Sequence, residues 1–517
     1  MDFEALTDRI CGRQLALESI AAFAVALAFV CLLAPAAPFT KELGICESGA
    51  VRDVLAGNLV LPHYAPRTPV QVPPMYWWAA ATAVRIFGWN EIALRAPSIF
   101  AAATTTSILY AWLASALSRR VAMWSVPVLL STQYIADAAR QPRMDAILMM
   151  FLAAAMVCLE RSFAREPRRK LLLACAALAM GGAMLTKGPL GLVLPGLTLA
   201  IFLALQRGLR EAFSLEVIAT FTIALAIGAI WYLAALEVGG NAFFEWQIVH
   251  GLFRRFFGAA AGGIGECQNP FYYFIPRLVS GFLPWSLFYP ALAVMIWRGR
   301  ANIPPPVLFA LCWFAAILGF FTISAGKCAV YILPLFPALA ALIGCVITNA
   351  AAQPRNPDLA SKLFDAASIA IAAGVLLVVL ALLALLWSGS AVAFGLDKTN
   401  KQFLEVLIDA TAHGSAGVIL WMFLSIAGAI IVLAAAARHR ALGQSCGVAL
   451  IAIAGTLFWY GFLNPALGEH RTLKPWTEVV DRTVPAGLPI DYIGPLDCDL
   501  AFYSDHEIGS IKNFRCG

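Results

Sequence analysis

The chain has 517 residues, of which 61% are apolar and 13% charged, and its mean hydropathy is +0.79. These values exclude water-soluble globular domains with hydrated surfaces and leave an integral membrane protein. The formal net charge of +6 is ordinary for arginines beside anionic lipid and gives no ground for nucleic-acid binding.

Runs such as 366–388 are apolar all round instead of alternating, so the spans are helices and not barrel strands. In chain order the candidates lie near 19–36, 96–117, 121–138, 144–160, 171–186, 188–205, 215–236, 274–297, 303–324, 328–348, 364–388, 416–437 and 445–464, thirteen in all. The first reads as a retained span, because no clear small-residue cleavage site accompanies it. Arg119/Arg120, Arg161 to Lys170, Arg207/Arg210, Arg298/Arg300, Arg355/Lys362 and Arg438/Arg440 occupy every second connection. The positive-inside rule puts these and the N-terminus in the cytoplasm.

The opposite, outer face then collects 37–95, 139–143, the turn at Lys187, 238–273, 325–328, 389–415 and 465–517. The stretch 74–90, with its paired prolines, Tyr76, Trp77, Trp78 and Arg85, suits a helix in the outer interface or one bent passage with 96–117. A fourteenth span is the alternative, and it would place 161–170 outside. The composition changes at 465, dividing the chain into a transmembrane part, 1–464, and a small α/β cap, 465–517. Within the cap, TLKPWTEVVDRTV has helical spacing and PIDYIG reads as a strand. The expected class is therefore an all-α polytopic membrane protein carrying an interfacial helical loop and this cap.

Long outer loops are more often functional than not, and the charges facing them are the natural candidates. Asp145, two residues after Arg143, reads first as a carboxylate favoured in the first turn of a helix and second as an acid facing an outer cavity. Glu47 stands immediately beyond the first span, where a helix could start, and reads either as an exposed acid or as a general base. Lys187, Lys327, Arg254 and Arg255 suit either headgroup contact or a clamp on a lipid phosphate, with His250 and Tyr331 nearby. Tyr76, Trp77, Trp78, Tyr272, Tyr273 and Trp285 read mostly as interfacial anchors. The twelve cysteines show no metal-site spacing, and most fall in apolar runs as small hydrophobes. Cys498 and Cys516 are candidates for a bridge, with two free thiols as the alternative.

The motifs CESGAVRDVLAGNLVLPHY, PPMYWWAAATAVRIFGWNEIALRAPS, RMDAILMMF, LTKGPLGLVLP, NPFYYFIPRLVSGFLPWSLF and GKCAVYILPLFPALA follow one another over 40–345. In that order they resemble the membrane glycosyltransferases of the GT-C class that use polyprenyl-phosphate sugars, and within it the aminoarabinose transferase branch more than the protein O-mannosyltransferases. The chain departs from the family where its Asp-Glu pair appears as Cys46-Glu47, and where its Glu-Lys before the paired prolines appears as Gln71-Val72.

The resemblance implies transfer of a sugar from a polyprenyl-phosphate donor to lipid A, lipopolysaccharide or another envelope glycan, in the bacterial inner membrane with the site and C-terminus periplasmic. It implies Glu47 as base or acceptor-orienting group and Asp145 as its support. Lys187, Arg254, Arg255, Lys327, Tyr331 and, least securely, His250 would contact the donor phosphate or sugar. No cofactor is expected, with a divalent metal as the alternative that nothing in the sequence indicates, because a sugar phosphate already carries a good leaving group and needs cations and a carboxylate. A multi-pass transporter is the rival reading, although no internal repeat is visible. A non-catalytic lipid-binding relative is another.

Overall fold

The computed structural model describes residues 3–34, 39, 47–65, 68–70, 72–164, 168–245, 249, 269–352, 358–388, 416–469, 472–485, 488, 490–493, 502–504, 506 and 508–511. The described chain is almost wholly helical. It begins with α1 (Phe3–Leu33), α2 (Glu47–Leu55), a two-stranded antiparallel β1–β2 (His63–Ala65, Thr68–Pro69), α3 (Met75–Phe87) and α4 (Glu91–Ala116). There follow α5 (Arg119–Leu130), α6 (Gln133–Arg140), α7 (Asp145–Ser162), α8 (Arg169–Lys187), α9 (Leu190–Gln206) and α10 (Leu215–Phe243). After α11 (Phe274–Ser280) come α12 (Tyr289–Gly299), α13 (Pro305–Ile323), α14 (Phe336–Ala352), α15 (Leu359–Ser388), α16 (Ala416–Ala436) and α17 (Ala441–Glu469).

Nine of these helices among the described residues are long and apolar enough to cross a membrane, and up to eleven if each of two sharply bent helix pairs is one span. The sequence suggests thirteen. The difference lies in runs whose apolar length exceeds their helical length. Candidate 121–138 is two helices, because Pro127 removes a backbone donor near the end of α5 and the chain turns at Ser131 and Thr132 before α6. Candidate 188–205 is the 17-residue α9. Candidate 274–297 is broken between α11 and the 3₁₀ turn leading into α12, with a bend of 105°.

The outward surfaces of the spans are apolar: Leu215 is 82% exposed, Ile323 79% and Ile230 69%. In water such faces would be a liability; in hydrocarbon they are the solvent-matched surface. The interior is built from small and aromatic side chains, with Trp112 against Trp313 and Phe309, and Phe288 stacked on Phe364.

α7 and α8 run antiparallel, so the start of one and the end of the other share one end of the bundle. At the opposite end the basic connections find their partners. Arg119 meets Glu18 at 3.0 Å, Arg169 meets Glu216 at 2.8 Å, and Arg207 donates to the Phe163 carbonyl at 2.7 Å.

The stretch 74–90 forms α3, whose 13 residues rise about 20 Å, short of a hydrocarbon core of about 30 Å. Two of its aromatics are not interfacial anchors: Tyr76 and Trp77 are fully buried, Tyr76 donating to the Leu94 carbonyl at 2.9 Å. Trp285 is likewise buried and donates to Ser131 Oγ at 2.9 Å. Packing of α3 on α4, and of the turn between α11 and α12 on the α5–α6 junction, turns these rings inward, a choice that composition does not encode. In the tail, α18 (Lys474–Thr483) precedes strands β3 (Ile490–Ile493) and β4 (Ile508–Ile511), which pair in parallel.

Candidate active site

The site is assembled by three chain reversals at one end of the bundle. The first is RQPRMD. Pro142 disfavours helix at the residue before it, Gln141 is extended at φ −85° and ψ 141°, and the chain bends 118° from α6 into α7. Asp145 opens the new helix. The second is TKGP. Gly188 adopts φ 70° and ψ −147°, a region all but closed to other residues, so α8 stops immediately after Lys187 and α9 starts two residues on. Gly191 lets the hairpin close, since a Cβ there would lie 2.5 Å from the Met184 nitrogen. The third is SAGKC, which carries Lys327 into the 3₁₀ turn Ala329–Leu335 holding Tyr331.

These reversals bring Lys187 into contact with both Asp145 and Tyr331. Lys187 Nζ lies 2.5 Å from Asp145 Oδ1 and 5.0 Å from the centre of the Tyr331 ring. Arg143 Nε approaches the other carboxylate oxygen, Oδ2, at 3.3 Å. The Asp145 side chain is 6% exposed, Lys187 15% and Arg143 27%. A carboxylate so buried must be paired, and here two cations hold it. It is therefore more than a helix-end charge, the reading that the sequence puts first.

Lys327 is buried and its ammonium donates to the Ser324 carbonyl, while its own carbonyl accepts from Asn269 Nδ2 at 2.8 Å. Cys328 is disulfide-bonded, with its partner outside the described residues. It thus departs from the pattern of cysteines acting as small hydrophobes. The thiols of Cys31, Cys158, Cys175, Cys312, Cys345 and Cys446 are free.

Glu47 is the first residue of α2, as its place beyond the first span suggests; its side chain lies outside the described residues. His250, Arg254, Arg255, Cys498 and Cys516 also lie outside them. α2 also carries a polar cluster around Asp53, whose partners Asn58 and His63 sequence reasoning did not single out. Asp53 Oδ2 accepts from the His63 backbone N–H at 2.8 Å and from Asn58 Nδ2 at 2.9 Å, and lies 2.9 Å from His63 Nδ1. Trp78 and Trp231 donate to the Leu59 and Val60 carbonyls, both at 2.9 Å, pinning the loop onto α3 and α10. Among the described residues no three His, Cys, Asp or Glu side chains gather where a metal ion could sit.

The tail meets the same end. Arg52 Nη2 donates to the Phe502 and Ser504 carbonyls at 3.2 and 3.1 Å. Trp89 stacks on Phe502 with ring centres 5.3 Å apart. Tyr503 Oη accepts from the Phe39 N–H at 2.7 Å and donates to Glu91 at 3.2 Å, and Lys474 reaches the same carboxylate at 3.3 Å. Burial pushes the Tyr503 hydroxyl well above the ordinary phenol range, and the Glu91 charge adds to the effect.

Residues 71–232 match the family of dolichyl-phosphate-mannose-protein mannosyltransferases. The undecaprenyl phosphate-alpha-4-amino-4-deoxy-L-arabinose arabinosyl transferase of Erwinia tasmaniensis is 28% identical over 410 residues, 78% of this chain and 69% of the relative. A Pseudomonas fluorescens transferase of the same name, number 2, is 30% identical over 57% of this chain and 50% of its own length. Against several such relatives the chain spans about half of their length. The crystal structure of ArnT from Cupriavidus metallidurans bound to undecaprenyl phosphate superposes with a TM-score of 0.73 at 20% identity, covering 95% of this chain and 85% of that one.

The chain thus shares the multi-pass helical fold of ArnT from Cupriavidus metallidurans. In sequence it is similar to the aminoarabinose transferases.

Proposed function

We propose that the protein is a glycosyltransferase that moves a sugar from a polyprenyl-phosphate donor to lipid A, lipopolysaccharide or another envelope acceptor, working at the end of the bundle that carries Asp145 and Lys187. The observation that carries this reading is the contact of Lys187 with both Asp145 and Tyr331, made by three separate chain reversals in a fold shared with an undecaprenyl-phosphate-bound transferase. The relatives' names supply the donor chemistry.

Such a transfer needs little from the protein beyond charge and position. Lys187 and Lys327, with Arg254, Arg255 and His250, contact the donor phosphate, and Tyr331 borders the phosphate or sugar. Asp145, already holding cations, aims Lys187 and does not take up a proton. That leaves Glu47, at the head of α2, as the acceptor's base. The chemistry asks for no cofactor.

The site end and the tail face the periplasm of a bacterial inner membrane in this reading. Two observations support it: the basic connections collect at the other end, and a disulfide at Cys328 belongs to an oxidising compartment. The tail is docked at this end through Phe502 and Tyr503.

Mass spectrometry of total lipids and lipopolysaccharide from a deletion strain tests the reading. Loss of one glycosyl mass, restored by the wild type and not by Glu47→Gln, is the expected result and identifies sugar and acceptor together. An unchanged glycan profile in cells that express the protein would instead favour a transporter or a non-catalytic lipid-binding protein.

A further inference from the structure

Arg143 sits in the bend between α6 and α7 and is held from several sides. Its backbone N–H donates to the Gln141 carbonyl at 2.8 Å, and its carbonyl accepts from Ser98 Oγ at 3.0 Å. In the side chain, Nε faces Asp145 and Nη1 donates to Gln141 Oε1 at 3.2 Å, while Gln141 Nε2 donates to Asp137 at 2.9 Å. These contacts engage Nε on one edge of the guanidinium and Nη1 on its other side. Nη2 makes no hydrogen bond among the described residues, and the side chain is 27% exposed, so N–H groups remain for a further partner beside Asp145.

The local charge is unbalanced. Arg143 and Lys187 share Asp145, and Lys327 has only a carbonyl partner among the described residues. Among the described residues of the three reversals, the cations Arg143, Lys187 and Lys327 stand against the one carboxylate of Asp145. Buried charge seeks a counterion, and an excess of two positive charges suits a phosphate monoester, which carries about −1.5 to −2 at neutral pH.

We propose that Arg143 is an anion-binding residue of this site, presenting Nη2 to the lipid phosphate beside Lys187 and serving the departing phosphate more than the bound donor. The inference rests on the transferase reading. In the transfer an acceptor oxygen attacks the sugar's anomeric carbon and the bond from that carbon to the phosphate oxygen breaks. The electron pair stays on the phosphate, and the proton of an acceptor hydroxyl goes to the carboxylate base. The phosphate thereby passes from a singly charged diester to a monoester of nearly twice the charge. Cations fixed in advance stabilise that gain.

The test is binding of undecaprenyl phosphate, with undecaprenol as the uncharged control, to the full chain in nanodiscs. Arg143→Gln is expected to weaken undecaprenyl phosphate about tenfold, the scale of one charge-assisted hydrogen bond, and to leave undecaprenol unchanged. Arg143→Lys, which keeps the charge and loses the planar fork, should fall between. Equal phosphate binding by wild type and Arg143→Gln overturns the inference while leaving the transferase reading standing. A wild type that binds undecaprenyl phosphate no better than undecaprenol overturns both. If Arg143→Gln does not fold, Arg143→Lys decides, and affinity equal to wild type counts against the inference.

Discussion

At the scale of single residues, the Asp145–Lys187 pair shows how position alone can understate a charge. A carboxylate at a helix start gains about 0.3–1 kcal/mol from the macrodipole, and nothing in RMDAILMMF asks for more. In the folded chain the same group joins the head of α7 to the tail of α8, 42 residues apart, and is nearly sealed from solvent. Removing one partner of such a pair strands the other. Lys187→Ala is therefore expected to cost about 3 kcal/mol of stability and, through the lost phosphate contact, about a hundredfold in transfer rate. Asp145→Ala should cost a comparable amount, and the double variant less than the two together. Thermal unfolding in detergent and an initial-rate assay measure both effects, and strict additivity would show that the pair is not coupled.

At the scale of elements, the reversals that assemble the candidate site are written in short local signals. Pro142 lies in the bend just before Asp145, Gly188 stops α8 at Lys187, and Gly326 stands between the end of α13 and Lys327. These are legible because proline and glycine act through steric rules confined to one or two residues. Aromatic placement is less legible. Tyr76 and Trp77 belong to a composition typical of interfaces, yet α3 turns them into the core.

The tail's docking gives an element-scale prediction. Tyr503→Phe loses both the acceptor for Phe39 N–H and the donor to Glu91, so about 1–3 kcal/mol of docking should be lost, seen as faster proteolysis of the tail. The pH sign follows from the raised Tyr503 value. A phenol that holds its proton more tightly when folded contributes fully below its ordinary value of 10.0, and that contribution falls as pH rises above it. Docking should therefore be insensitive to pH through the neutral range and weaken in strong alkali, whereas Tyr503→Phe should show no such alkaline step.

At the scale of the whole molecule, the basic connections and the candidate site stand at opposite ends, and the membrane lies between them. A reporter fused after Gly517 is expected to behave as periplasmic. Cys328 should resist maleimide in the denatured, unreduced protein and react once reduced. A cytoplasmic reporter signal, or a freely reactive Cys328, would reverse the proposed orientation.

Composition and the spacing of apolar runs were enough to establish a helical membrane protein, because burial in hydrocarbon imposes a length and an apolarity that no soluble fold shares. Six ordered motifs marked the class, and Glu47, Asp145, Lys187, Lys327 and Tyr331 were legible as candidates because charged groups at span ends are few. Tertiary structure alone decided which of them meet. It paired Asp145 with Lys187, added Arg143, brought Asp53 and His63 together and turned Tyr76 and Trp77 inward. Contacts between residues far apart in the chain depend on how helices pack, and a linear pattern of apolar and polar residues does not carry that information.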